Sequence, residues 1–305
     1  MREHLFLNKI IKTLKNSEYL GDDCAYLKDL GIVVTQDTLV EDVHFSLDYT
    51  DAYKLGYKSA AVNISDIYAS GAVPKYLSIS LSLPKKCSES FVEEFYKAVD
   101  SFGLDVIGGD ITGSDKITVS VCAIGIVKNR KISSRKNADI GDLVVVTGEH
   151  GTSACGLFLL QNGLKDDDII NEHLMPKIDG AFSAEIAQKC TKDYAMMDTS
   201  DGLADALFKI AQSSNKTIKI DFEKIPYNKK IEQYANFKDY ILYGGEDYKL
   251  VATVDKETLN NISPELYYVI GAVEEKQNCP LKINFGNKIS DIKNLDKTFN
   301  HFEDK

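Results

Sequence analysis

Six segments of the 305-residue chain set acids among apolar and glycine neighbours at the ends of strand-like runs. They are Gly21-Asp22-Asp23-Cys24-Ala25, Val34-Thr35-Gln36-Asp37-Thr38-Leu39, Ala61-Val62-Asn63-Ile64-Ser65-Asp66-Ile67, Val106-Ile107-Gly108-Gly109-Asp110, Met197-Asp198-Thr199-Ser200-Asp201-Gly202 and Tyr243-Gly244-Gly245-Glu246-Asp247-Tyr248. A buried carboxylate is costly unless paired or bound to metal, and too few cations stand beside these six to pair them. A fold that buries such segments must bring several of the acids together, and the reading is that they converge on metal. For any one acid alone, a solvated surface position is an equally good explanation.

Oxygen-only sites of this kind suit Mg²⁺, which takes a few carboxylates and leaves room for water and substrate phosphates. No EF-hand loop, no G-x-x-x-x-G-K-[ST] and no G-x-G-x-x-G occurs, so the common nucleotide-binding folds are not signalled. If the chain handles ATP, metal ions must hold the phosphates. Asn63 and Asp66 are spaced i, i+3 and share one face of a predicted helix that is otherwise core-like. Gly108-Gly109-Asp110 follows an apolar strand, and the expectation is an acid at that strand's carboxyl end, where open α/β sheets bind ligands.

Around these segments the composition is that of a soluble globular protein, 27% charged and 44% hydrophobic. The length predicts two domains of roughly 150 residues each. With 46 Asp+Glu against 36 Lys+Arg, a formal net charge of -10 and no basic tract, there is no footprint for nucleic acid or an anionic membrane surface. The six cysteines are scattered and without metal-like spacing, so they read as reduced, mostly buried thiols. The amino terminus MREHLFLNKIIKTLKN reads as an amphipathic helix and not a signal peptide. The apolar runs at 119–127 and 143–146 are too short to span a bilayer, so the expected location is the cytoplasm.

Up to residue 128 strand-like and helical runs alternate in mixed α/β order: strand 31–35, helix 52–71, strand 76–83, helix 89–103, strands 104–107 and 117–127. The polar, basic stretch 128–142 marks a domain boundary. Beyond it the pattern predicts a strand at 143–147, helices at 153–161, 180–192 and 203–213, and strands at 217–222, 248–254 and 267–273, with an acidic loop at 165–168. The Gly148-Glu149-His150-Gly151-Thr152-Ser153 turn before a helix could hold an anion, although turn geometry alone accounts for its glycines. Arginine occurs only at Arg2, Arg130 and Arg135, and a guanidinium in the interdomain stretch can make planar contacts to phosphate.

GDDCA, TQDTLVEDVHF, AVNISDIYASGA, IGGDIT, DTSDGLADAL and GGEDYKL, in this order and spacing, resemble the thiamine-monophosphate kinase family over nearly the whole chain. That family is part of the PurM-like superfamily with AIR synthetase, selenophosphate synthetase and hydrogenase maturation proteins. The resemblance implies an amino-terminal α/β domain, residues 1–133, that binds ATP and metal through a mixed sheet and pairs with a second subunit. It implies an α+β domain with ferredoxin-like elements over 134–305, and a homodimer. The implied activity is transfer of the γ-phosphate of ATP to thiamine monophosphate with several Mg²⁺ ions.

By motif position the resemblance assigns metal binding to Asp23, Thr35, Gln36, Asp37, Asp66, Asp110, Asp198 and Asp201. It assigns nucleotide contacts to Gly109, Asp110, Arg135, Ser200 and Tyr96, and thiamine phosphate contacts to His44, Glu246 and Phe299. Two departures stand out: Gln36 replaces the family's usual Thr, and Ile111 replaces the Thr that usually follows GGD. No general base is assigned, because a phosphate monoester with a second pKa near 6 is already largely ionised at neutral pH. The rivals are a selenophosphate synthetase-like or hydrogenase-maturation enzyme, each expected to carry a terminal-region cysteine that MREHLF and HFEDK lack, and a catalytically silent homologue, which would have lost acids.

Overall fold

The chain is described by a computed structural model over residues 2–298. Two mixed sheets organise it. The first comprises β1 (Ala25–Leu27), β2 (Ile32–Val40), β3 (Val73–Leu83), β4 (Asp105–Gly113) and β5 (Thr118–Ile126) in the order β1-β2-β5-β3-β4. All its pairings are antiparallel except β3 with β4. The strict alternation along β5, which buries Val119, Val121 and Ala123, gives this sheet one core face.

Against that face lie α2 (Ala52–Ser70) and α3 (Glu89–Asp100), after the amino-terminal α1 (Arg2–Thr13). Asp51 caps α2 by accepting from Lys54 N–H, and Gly71 ends it in the left-handed conformation at φ 89. Between those signals α2 is buried on most sides, with Ala60, Ala61, Ile64 and Ile67 essentially inaccessible. Burying each large aliphatic side chain of this kind is worth about 1.5–3 kcal/mol. The carboxylate-bearing helix is thus a central element of the fold.

The second sheet holds β6 (Leu143–Val146), β7 (Ala195–Asp198), β8 (Thr217–Asp221), β9 (Leu250–Val254), β10 (Tyr268–Glu274), β11 (Leu281–Asn284) and β12 (Ile289–Ile292), ordered β12-β11-β8-β10-β6-β9-β7. Its helices include α4 (Thr152–Gln161), α5 (Asp167–Leu174), α6 (Ala181–Lys189), α7 (Leu203–Ser213) and α8 (Phe237–Tyr243). Helix α2 is also the bridge between the sheets. Ser183 Oγ donates to Tyr68 O and Ser133 Oγ to Ala69 O, both at 2.6 Å. Ser65 Oγ donates to Asp198 Oδ2, also at 2.6 Å.

Three expectations are corrected. The strand expected to end at residue 107 runs on through Gly108, Gly109 and Asp110 to Gly113, as an edge strand exposed along its whole length. Its glycines therefore lie within the strand: a Cβ on Gly109, where φ is 152, would stand 1.8 Å from Ile79 O. The acidic loop at 165–168 is the start of α5, where Asp166 caps the helix and Asp167 and Asp168 occupy its first turn. Three cysteines, Cys24, Cys155 and Cys279, are buried, while Cys87, Cys122 and Cys190 are only partly covered; all six are free thiols. Among the described residues no helix is long and apolar enough to cross a membrane.

Candidate functional site

Three of the six segments meet at one point. Asp23 before β1, Asp66 on α2 and Asp198 at the end of β7 each bring a carboxylate oxygen within 4.8 Å of the other two. Strand period and helix period cooperate here. Thr35 and Asp37, two apart on β2, face α2; Thr35 Oγ1 donates to Asp66 Oδ2 at 2.6 Å, and Asp37 N–H donates to Asn63 Oδ1 at 3.0 Å. The shared face of Asn63 and Asp66 expected from their spacing is therefore the face that docks on β2.

Burial, then the charges of Asp198, Asp37 and Asp23, holds the Asp66 carboxyl well above its ordinary range. Burial and then Asp23 push Asp198 up to about 7, and burial followed by Asp201 and Asp23 push Asp37 up to about 6. The cations at hand reach Asp23 within the cluster and the acids beside it, but not Asp66 or Asp198. Arg135 Nη2 lies 2.7 Å from Asp23 Oδ1, and Lys209 bridges Asp201 at 3.0 Å and Asp205 at 2.7 Å. Clustered, partly protonated carboxylates with oxygen-only donors fit a hard divalent cation such as Mg²⁺.

Two cavities flank this point. One of 230 Å³ is lined by Tyr19, Asp22, Asp23, Cys24, Ser70 and Ser134. The other, of 540 Å³, is lined by Asp37, His44, Asp66, Asp201, Glu246 and His173 among others. The Gly244-Gly245 segment reaches the second by close backbone approach: a Cβ on Gly245 would stand 2.5 Å from Ser200 O, which instead accepts from Glu246 N–H at 2.7 Å. Glu246 and Tyr248 both hold left-handed backbones, at φ 66 and φ 51. Strain of this kind persists only where the surroundings over-determine it.

The structure separates neighbouring acids that the sequence presents as pairs. Asp22 accepts from Ser134 Oγ and Arg135 N–H, both at 2.8 Å, and so ties down the interdomain turn, while Asp23 turns to the cluster. Asp247 accepts from Gly151 N–H at 2.6 Å and Ser153 N–H at 2.9 Å, so the chain's own carboxylate fills the anion position at the start of α4. The Gly148–Ser153 turn is accordingly structural.

Of the other candidates, Ser200 N–H donates to Asp198 Oδ1 at 3.2 Å, and His44 Nδ1 accepts from Val40 N–H at 3.0 Å on the wall of the larger cavity. Gln36 is exposed and, by strand alternation, faces away from Thr35 and Asp37, so its side chain does not join the acids. Gly109 and Asp110 lie on the exposed edge strand outside the acid cluster. Tyr96 packs edge-on against Phe95, at 5.4 Å between ring centroids, and lines neither cavity. Phe299 lies outside the described residues.

The sequence reading missed Lys58, His173, Asp205 and Lys209. Asp205 and Lys209 are an i, i+4 pair, so their spacing held a signal, and Lys58 is a cation on a mostly apolar helix. Nothing local marks His173.

Two mixed sheets joined over a carboxylate cluster define the class. The family model for AIR synthase related protein, N-terminal domain, matches residues 21–127. That for AIR synthase related protein, C-terminal domain, matches residues 139–283. The chain is 36% identical over 281 residues to the thiamine-monophosphate kinase of Bacillus subtilis (strain 168), covering 84% of this chain and 85% of that protein. A solved structure described as AaThiL complexed with AMPPCP and TMP superposes with a TM-score of 0.82 at 34% identity, covering 93% and 94% of the two chains. The thiamine monophosphate kinase structure from Aquifex aeolicus gives 0.81 at 34% identity over 93% and 97%. The chain belongs to the thiamine-monophosphate kinase family.

Proposed function

We propose that this chain transfers the γ-phosphate of ATP to thiamine monophosphate, giving thiamine diphosphate and ADP. The observation that carries the reading is the Asp23, Asp66 and Asp198 cluster set between two cavities, Asp23 lining one and Asp66 the other. Two polyanionic substrates that must meet need that arrangement. The similarity to relatives named for this activity supports the same substrates. The proposed division of the chain is at 133/134.

Asp23, Asp37, Asp66, Asp198 and Asp201, with Thr35 and the backbone of Gln36, are the proposed holders of Mg²⁺, and Asp110, on the edge strand, is assigned to Mg²⁺ by resemblance alone. Bound there, Mg²⁺ supplies charge screening between the phosphates and in-line alignment of attacking and leaving oxygens. Arg135, Ser200, Gly109 and Tyr96 are assigned to the nucleotide by resemblance. His44 and Glu246 face thiamine monophosphate in the larger cavity, and Phe299 is assigned to its ring by resemblance alone. The substrate phosphate is its own ionised nucleophile, so no side chain need remove a proton.

The proposed assembly is a homodimer. Edge strand β4 leaves Val106, Ile107 and Ile111 exposed at 42%, 56% and 62%, and a second copy pairing along it would cover an otherwise open strand edge.

The test is ADP release from Mg-ATP by the purified protein with and without thiamine monophosphate, with the product identified as thiamine diphosphate. Stimulation by thiamine monophosphate is expected; its absence in a folded, ATP-binding protein sinks the reading.

Metal binding has its own signature. Asp198 and Asp37, raised to about 7 and about 6, hold protons that the unfolded chain, with carboxyls near pKa 4, has already lost. Their contribution to metal-free stability therefore falls as pH rises from about 4 through 7. Mg²⁺ must displace those protons. Calorimetric titration in buffers of different ionisation enthalpy is expected to show proton release on Mg²⁺ binding near pH 6.5 that fades towards pH 9. No release at the lower pH would remove Mg²⁺ from this cluster.

A further inference from the structure

We propose that Lys58 is a positioning residue for phosphoryl transfer, holding the Glu246 carboxylate in its place against thiamine monophosphate from across the domain boundary. The inference rests on the functional reading above, in which Glu246 faces that substrate. Lys58 projects from α2 with its side chain 5% exposed, and its Nζ lies 3.1 Å from Glu246 Oε1. On the opposite side His173 of α5 places Nδ1 3.4 Å from Glu246 Oε2. Ser153 Oγ of α4 lies 3.1 Å from the same ring nitrogen. Glu246 Oε1 is thus ion-paired to Lys58 across the boundary, while Oε2 lies against the His173 ring, whose Nδ1 hydrogen-bonds Ser153.

The two partners differ in kind. Burial, then Lys58, pushes His173 down to about 3 against the opposing pull of Glu246, so the ring is neutral and orients without charge. Burial alone would raise the Glu246 carboxyl; Lys58 leads the groups that outweigh it and hold it below its ordinary range. A buried ammonium is expensive unless paired, and Lys58 pairs with Glu246, the acid that faces the 540 Å³ cavity from the Gly-Gly segment. Glu246 needs such a clamp. Its backbone is held left-handed at φ 66, and a carboxylate tied to Lys58 at Oε1 keeps lone pairs free for a ligand in the cavity. Lys58 also stands eight residues before Asp66 on α2, so one rigid helix sets Glu246 relative to the acid cluster.

The test is a double-mutant cycle with Lys58→Met, Glu246→Gln and the two combined, each read by KM for thiamine monophosphate and KM for ATP, with folding checked by thermal denaturation. Each single variant is expected to raise KM for thiamine monophosphate about tenfold while KM for ATP stays within about twofold. The combined variant is expected to be no worse than Glu246→Gln alone. Effects that multiply in the combined variant, or an equal rise in KM for ATP, overturn the inference. Should Lys58→Met alone fail to fold, Glu246→Gln with and without Lys58→Met decides it: equal KM supports positioning, and a further tenfold rise refutes it. Wild-type protein without thiamine-monophosphate-dependent ADP release overturns the functional reading and this inference with it; stimulated wild type with multiplicative variants overturns this inference alone.

Discussion

Asp66→Asn is expected to lower thiamine-monophosphate-dependent ADP release by about a thousandfold or more while leaving the chain folded. Asp66 is the member of the cluster that lines the larger cavity. It accepts from Thr35 and lies within reach of Asp23 and Asp198. Asparagine keeps the size and one acceptor for the Thr35 hydroxyl, so packing of α2 on β2 is retained. What goes is one charge among several that repel one another, and the sign of the stability effect follows from that. Without metal the thermal midpoint should rise by a few degrees, because burial and neighbouring carboxylates oppose ionisation of Asp66. With Mg²⁺ the order should reverse, since the wild type gains a bound ion and the variant gains less. Activity within about tenfold of wild type, or a variant that Mg²⁺ stabilises as much as wild type, would take Asp66 out of the metal site.

Gly56→Ala tests the scaffold that delivers Asp66. A Cβ at this position would stand 2.2 Å from the Phe95 carbonyl oxygen, 2.9 Å from its carbon and 3.0 Å from Phe95 Cα. All three contacts are helix backbone, α2 against α3, and Phe95 is fully buried, so no side chain can swing aside. The helices must part. A loss of about 3 kcal/mol in urea denaturation is expected from such overpacking, outweighing the up to about 1 kcal/mol that alanine gains over glycine within a helix. Because α2 also carries Lys58, Asn63 and Asp66, the folded fraction should lose activity as well. A change below about 1 kcal/mol would mean that α3 yields more easily than its burial implies.

The acid-bearing segments were legible because each combines a local period with an anomaly. In 61–67 an apolar helix interrupted at i and i+3 by Asn63 and Asp66 announces a polar face inside a core, and the structure puts that face on β2. In GDD and GGED local pattern offers adjacent acids with nothing to choose between them, and only the resemblance picked out Asp23 and Glu246. The choice was tertiary: Asp22 is taken by the Ser134–Arg135 turn and Asp247 by the start of α4, which leaves Asp23 and Glu246 to the site. Gly108-Gly109-Asp110 misled for a related reason. Glycines after an apolar run signal a turn unless another strand lies beside them, and β3 does.

The sequence by itself determined the mixed α/β character, the ordered acidic motifs and the helix face that presents Asp66, because helix and strand periods and the cost of burying charge act locally or through composition. Tertiary structure alone decided what holds the other acid of each pair, that β4 runs through its glycines as an open edge, and that Lys58 of one domain and His173 of the other close on Glu246. Those outcomes depend on contacts between residues more than a hundred positions apart in the case of Lys58, and no local period encodes which distant group will be the partner of a buried charge.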